Sequence, residues 1–457
     1  MKRNYFKLIA ASILFMPLFA LFTSCSGDDY LNAIPGNSTA LVSIDMQKYA
    51  EKEGSASAQA AITSFWGVDN ISDCGIDVAS RIYMFETADG NIGFAAKVKS
   101  SGDLTDWLSL QVKKGFCSEV KDHGGYSFTV LKDSWVAGYS SEALVVLGPV
   151  LPSAQTVVRR QVAQYLAQDE DEGIQASPMM AYLDSIQAPV ALVAQVSALP
   201  EKFVASFMLG APKDVDGSKV MLAAGLSSGV KGCIVIRGTT FSPDKRVDAE
   251  LRRSREVFRP IAGDYLNSMS PSSAIGVFAN VEGGHFIRLL HSNKTFQALL
   301  AGMNMAVDMD NIIKSVDGDM AMIVENTGGS NIGLLMLAKL GSTAFMEDID
   351  YWKQSCPAGT SISDLGDGAY RYSGGDMDFT FGVKDNQRFY ASTFPGVDRL
   401  SSVQSGWSLP SAADSLVMGR RMAVVANVSA LSAIVGPAGS YLKALAGGVQ
   451  TIVFIME

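Results

Sequence analysis

Gly225-Leu226-Ser227-Ser228-Gly229 carries the letters of a nucleophile elbow, in which a strand–turn–helix lifts a serine out for attack on a carbonyl. Here Val230-Lys231-Gly232-Cys233-Ile234-Val235-Ile236 follows. That run is a strand rather than a helix, so the pattern predicts a hairpin loop. Ser242-Pro243-Asp244-Lys245 has Ser-x-x-Lys spacing, which in acyl-transfer enzymes sets a lysine beside a serine. Pro243 and an expected loop setting argue against a catalytic helix start. The histidines are His123, His285 and His291. The last two are six apart, which is about 240° around a helix, so they occupy different faces. With no HExxH and no CxxC spacing, no zinc site is outlined. Acids gather at Asp169–Glu172, Asp214/Asp216, Asp308/Asp310 and Asp317/Asp319. Their spacing does not fit an EF-hand loop, and solvated turns are expected. A glycosidase needs two carboxylates facing one another, and a linear sequence cannot pair them. The sequence therefore assigns no catalytic residue, no metal ligand and no cofactor.

The elements that would position these groups follow from hydrophobic periodicity. Ala40–Met46 reads as a strand and Lys48–Trp66 as a helix. Arg81–Glu86 and Ile92–Val98 read as strands joined by the turn Ala88-Asp89-Gly90-Asn91. Ser101-Gly102-Asp103 opens a helix to about Lys114, with Leu104, Trp107, Leu108 and Val112 on one face. Residues 117–150, with turns at His123-Gly124-Gly125, Lys132-Asp133 and Ser140-Ser141, read as an antiparallel meander. The order strand, helix, strand, strand, helix, strand matches a split βαβ, or ferredoxin-like, plan. Helices over Pro152–Ala167, Ser177–Ile186 and Pro200–Leu209, a strand at Ala191–Val196 and a hairpin of Val220–Ala224 with Cys233–Arg237 complete this unit. Arg246–Phe258 reads as a connecting helix with a solvated charged face of Glu250, Arg252, Arg253, Arg255 and Glu256.

A second unit repeats the first. Asp29-Tyr30-Leu31-Asn32 returns as Asp264-Tyr265-Leu266-Asn267, each followed by a Pro/Ser stretch and an apolar run. Ala274 lies 234 residues after Ala40, Asn331 240 after Asn91, and Ala423 232 after Ala191. Order is kept and drift is small, as in a tandem duplication rather than a short-period solenoid. The expected fold class is α+β, as two tandem homologous domains over residues 30–262 and 263–457. Each is expected to be a mostly antiparallel sheet with helices on one face. The second copy lacks most of the segment matching Pro152–Ile186. It reaches Glu457 inside what would be the closing hairpin, so Ile452–Ile455 reads as a buried strand.

At 457 residues, 48% hydrophobic and 18% charged, the chain has the makings of more than one folded core. Its formal charge is −9, and loss of residues 1–24 would remove Lys2, Arg3 and Lys7 and no acid, giving −12. That balance excludes non-specific nucleic-acid binding, which needs phosphate-neutralising cations. Cys74, Cys117, Cys233 and Cys356 are too few and too dispersed for a disulfide scaffold.

The start of the chain is the most specific local signal. Lys2, Arg3 and Lys7 precede an apolar run, Leu8 to Phe22, broken by Pro17 and short for a membrane span. Phe22-Thr23-Ser24-Cys25 resembles a bacterial lipobox, with Phe22 where leucine is preferred. The resemblance implies a signal peptide over 1–24, lipidation of Cys25, and a tether over 25–29; an ordinary secretory signal is the alternative. Asp28 and Asp29 after the cysteine resemble the surface-export signal of Bacteroidetes lipoproteins. Gly75-Ile76-Asp77 ahead of Tyr83–Phe85, with the lipobox and the tandem units, resembles an uncharacterised family of Bacteroidetes outer-membrane lipoproteins, to which no catalytic residues are assigned. Asp184-Ser185-Ile186 and Asp414-Ser415-Leu416 resemble the acceptor of Bacteroidetes protein O-glycosylation, marking Ser185 and Ser415. The expected function is a lipid-anchored envelope protein, non-enzymatic, with a binding or structural role. Its membrane contact would run through the N-terminal lipid, its partner being a glycan or an envelope protein. An envelope hydrolase using carboxylates assembled in space is the alternative, as is a periplasmic rather than surface-facing location.

Overall fold

The computed structural model describes residues 27–48, 74–230, 232–304, 307–328, 331–374, 377–393, 411–434 and 449–457. Residues 1–24, read as a leader, Cys25 and all of the expected helix Lys48–Trp66 except Lys48 lie outside them. The chain divides into two compact units, Met1–Ser185 and Ile186–Glu457. The repeat boundary read at 262/263 falls inside the second. Each unit is mixed α and β, built on a mostly antiparallel sheet.

The first unit holds β1 (Ala40–Ile44), β2 (Ile82–Glu86), β3 (Ile92–Lys97), β4 (Lys121–His123), β5 (Tyr126–Leu131), β6 (Trp135–Tyr139) and β7 (Ala143–Gly148). They pair antiparallel in the spatial order β1-β2-β3-β7-β6-β5-β4. The turn chemistry was legible: Gly90, Gly124, Gly125, Lys132 and Asp133 all take positive φ, as tight hairpins require. Asn91, the last residue of the Ala88–Asn91 turn, does not. The interleaving differs from a split βαβ plan. That plan relies on a parallel crossover, whereas β1 runs antiparallel to β2, with Ala40 opposite Glu86 and Ile44 opposite Ile82. A long connection permits return in either sense, and side-chain burial rather than local pattern selects one. The helix Ser101–Lys113 is capped by Ser100, whose hydroxyl accepts from the Asp103 amide. Its Leu104 and Leu108 pack on Ile82, Ala96, Val98, Leu144 and Val146.

The second unit holds β8 (Val190–Gln195), β9 (Met221–Val230), β10 (Cys233–Phe241), β11 (Phe258–Arg259), β12 (Ser273–Glu282), β13 (Val316–Gly328), β14 (Asn331–Leu340), β15 (Thr360–Gly366), β16 (Ala369–Gly374), β17 (Met377–Lys384), β18 (Arg388–Ser392), β19 (Met422–Asn427) and β20 (Thr451–Met456). Their order is β8-β9-β10-β20-β19-β12-β13-β14-β18-β17-β16-β15. The short β11 pairs with the end of β12. The β10–β20 pair is parallel and the other pairs in this series are antiparallel. Successive residues of a strand face opposite sides. On β12, Phe278 enters a core with Ile323, Val425 and Val453, while Ala279 and Val281 enter another with Ile287, Ile312 and Phe389. A third small core joins Val196 and Val220 to Val247 and Leu251 of the helix Lys245–Arg255. That helix begins one residue before, and ends three before, the connecting helix read from the sequence.

Candidate functional site

The serines picked out by spacing do structural work. Gly225–Gly229 lies within β9 rather than in a loop, with Ser227 opposite Val235 and Ser228 opposite Ile234 of β10. The turn comes later because the strand pairing runs on to Val230. Ser242 is buried, and its hydroxyl donates to the Lys219 carbonyl at 2.6 Å. As expected, Ser242, Pro243 and Asp244 lie in a loop, and the helix starts just after them at Lys245. Asp244 caps it, accepting from the amides of Arg246 and Val247.

The histidines and acids are dispersed. His123 is exposed at the end of β4. His285 Nδ1 lies 2.5 Å from Glu282 Oε2, the carboxylate that caps the helix Gly283–His291. His291 Nε2 lies 2.8 Å from Asp310 Oδ2, and Asn304 Nδ2 donates to Asp310 Oδ1 at 2.9 Å. Burial raises the Asp310 carboxyl, but those two partners outweigh it and hold it below its usual value. Asp308 caps the helix Met309–Lys314. Asp169 accepts from the amides of Asp171 and Glu172. Asp216 accepts from the Ser218 amide, and Asp214 pairs with Arg246. Asp317 pairs with Arg259. Buried Asp319 accepts from the amides of Ala262, Gly263 and Asp264 and from Asn280 Nδ2. Among the described residues no group of three His, Cys, Asp or Glu is placed to hold a metal ion. Cys117, Cys233 and Cys356 are free thiols, and Cys74 is buried in the first unit's core.

The glycan-acceptor candidates lie on helices. Ser185 is exposed at the end of Pro178–Ser185, its hydroxyl donating to the Tyr182 carbonyl at 2.7 Å. Asp184 before it pairs with Arg81 at 2.5 Å. Ser415 is exposed within Ser411–Val417. Burial raises the carboxyl of the preceding Asp414.

What geometry does gather is a set of guanidinium groups in the second unit. A cavity of about 430 Å³ is lined by Thr239, Arg252, Arg255, Glu256, Arg421, Met456 and Glu457. Arg252 and Arg255 stand one turn apart at the end of the helix Lys245–Arg255, where the helix dipole favours cations. Arg421 precedes β19, and its Nη1 donates to the carbonyls of Arg255 at 3.0 Å and Phe258 at 3.2 Å. Arg255 Nη1 donates to Thr239 Oγ1, to the Thr240 carbonyl at 3.2 Å and to the Glu457 main-chain oxygen at 3.4 Å. Arg252 Nε donates to Asp248 at 2.8 Å. Burial lowers the Arg255 pKa; Asp248 opposes this, while Arg252 and Arg421 push it down further.

A family model described as a domain of unknown function, DUF4836, matches residues 30–394. The chain belongs to the DUF4836 family. No curated protein matches it. Crystal form IV of TP0453 is 9% identical, with 44% of this chain and 76% of that chain covered and a TM-score of 0.28. Crystal form III is 9% identical, with 82% and 96% covered and a TM-score of 0.22. These values are too low to bear on fold or function.

Within this DUF4836 chain, the sequence reading placed Arg252 and Arg255 on a solvated face and passed over Arg421. Arg252 and Arg253 fit that reading, both exposed and paired with Asp248 and Glu250. Arg255 is half-buried because β10 and the chain beyond β20 close over the helix end. The i, i+3 arginines in a last turn were a visible signal. Their partner 166 residues further on was not.

Proposed function

We propose that the chain is a lipid-anchored outer-membrane protein, displayed at the cell surface, with a binding or structural role. The observation that carries it is Cys25, preceded by small residues at the end of a short apolar leader and followed by an acidic tether. Several acyl chains hold a folded protein at a bilayer without a spanning helix. Among the described residues no helix is long and apolar enough to cross a membrane, which accords with an anchor of that kind. The engagement of the clustered acids in caps, turns and ion pairs supports binding over hydrolysis.

Two tandem homologous modules belong to the same reading. The order β1-β2-β3-β7-β6-β5-β4 in one unit has its counterpart in β12-β13-β14-β18-β17-β16-β15 in the other. Thr39 donates to Glu86 at 2.8 Å; in the later copy Ser270 and Ser272 donate to Glu325 at 2.7 and 2.5 Å. Tyr30 and Tyr265 of the repeated tetrapeptide are both buried, and burial raises both phenol pKa values. The tetrapeptide is thus an anchor for each module's first strand.

Fractionation of the native host tests the reading. The wild-type chain should enter the membrane fraction with a lipid-modified Cys25 peptide, and Cys25→Ser should leave that fraction. An unmodified Cys25 in soluble wild-type protein would refute the anchor. Protease shaving of intact cells separates surface from periplasmic placement. A hexose-type mass addition on peptides holding Ser185 or Ser415 is expected in the same digest; bare peptides would discard those acceptors.

A further inference from the structure

We propose that the cleft lined by Arg252, Arg255 and Arg421 binds a tetrahedral oxyanion, the phosphate or sulfate group of a small ester. Three guanidinium groups gathered around one cavity repel each other, and a chain with a formal charge of −9 does not need them together for solubility. The three are oriented before any ligand arrives. Arg421 is held by two carbonyls at the helix end, Arg255 by Thr239 and the Thr240 carbonyl, and Arg252 by Asp248. These bonds use Nη1 of Arg421 and Arg255 and Nε of Arg252. A guanidinium carries five N–H donors in a planar fork, so donors remain on each. Forked donors with fixed planes match the oxygen spacing of phosphate and sulfate.

The cleft also holds anions, and the balance sets its character. Glu256 and Glu457 line it. Glu457 Oε1 is drawn toward Arg237 at 3.5 Å, and Asp248 neutralises part of Arg252. Among side chains, counting Arg237 and Asp248 with the lining residues leaves four cations against three carboxylates. The result is a local positive focus on an acidic protein, suited to one compact anion rather than to a polyanion. Met456 supplies an apolar part of the lining, and the volume suits a small molecule.

The inference deepens the binding role proposed above but does not need the anchor, and its test keeps the two apart. Purified full-length chain in detergent is titrated calorimetrically with inorganic phosphate, inorganic sulfate and glucose 6-phosphate. Saturable binding of at least one free anion is expected, weakened at least fivefold by Arg252→Gln and by Arg421→Gln. Arg253→Gln, with the same charge change on the same helix but outside the cleft, should leave it unchanged. A thermal midpoint for each variant guards against misfolding; if Arg421→Gln fails to fold, the exposed Arg252 decides alone. Absence of saturable binding, or equal weakening by Arg253→Gln, would each overturn the proposal. Anion binding by a chain that proves to be unlipidated in its host would sink the anchor and leave the cleft standing.

Discussion

Asp319 is 2% exposed and fixes the segment between β11 and β12 by accepting three consecutive backbone amides. Each donor left unmet in a buried place costs free energy. Asp319→Ala is expected to lower the unfolding free energy by about 3 kcal/mol, and Asp319→Asn, which keeps one acceptor oxygen, by about half that. Urea titration reads both, and a loss under about 1 kcal/mol for the alanine variant would mean that water replaces the carboxylate. Asp310 makes a pH-dependent contribution. Its folded pKa lies below the usual 3.8, so its stabilisation is present above that value and is lost as pH falls through the folded pKa. Asp310→Asn should therefore flatten the acid limb of a stability profile below about pH 4. An acid limb as steep as wild type's would remove Asp310 from the account.

The helix Lys245–Arg255 links stability to the cleft. It starts where it does because Asp244 takes up two of its free amides, and it docks through Val247 and Leu251. Its last turn then carries two of the three guanidinium groups. Asp244→Ala should cost about 1 kcal/mol, as removal of a helix cap does. Because the loss falls on the helix that orients Arg252 and Arg255, anion affinity should drop as well, though Asp244 does not line the cavity. Paired thermal and calorimetric measurements test this. A destabilised variant with wild-type affinity would show that the helix end is held by β10 and Arg421 alone.

Across the second unit, β20 is the strand on which the long sheet depends, because it joins β10 on one side and β19 on the other. Val453 is fully buried and faces Val235 and Val425 across those pairings. Val453→Asp should cost more than about 4 kcal/mol, since a buried unpaired charge has no relief there. Hydrogen exchange should accelerate together in Cys233–Phe241 and Met422–Asn427; acceleration confined to Thr451–Met456 would mean that the sheet closes without it. The sequence by itself determined many of the strands and the hairpin turns, because alternation and positive-φ residues act within a few positions of themselves. It also shows an apolar N-terminal run that ends close before a cysteine, Cys25. Only the tertiary structure decided that β1 returns antiparallel to β2, that β10 and β20 run parallel, and that Arg421 meets Arg252 and Arg255. These join residues far apart in the chain, and which distant strands and charges meet is set by the burial of whole faces, a quantity that no local spacing carries.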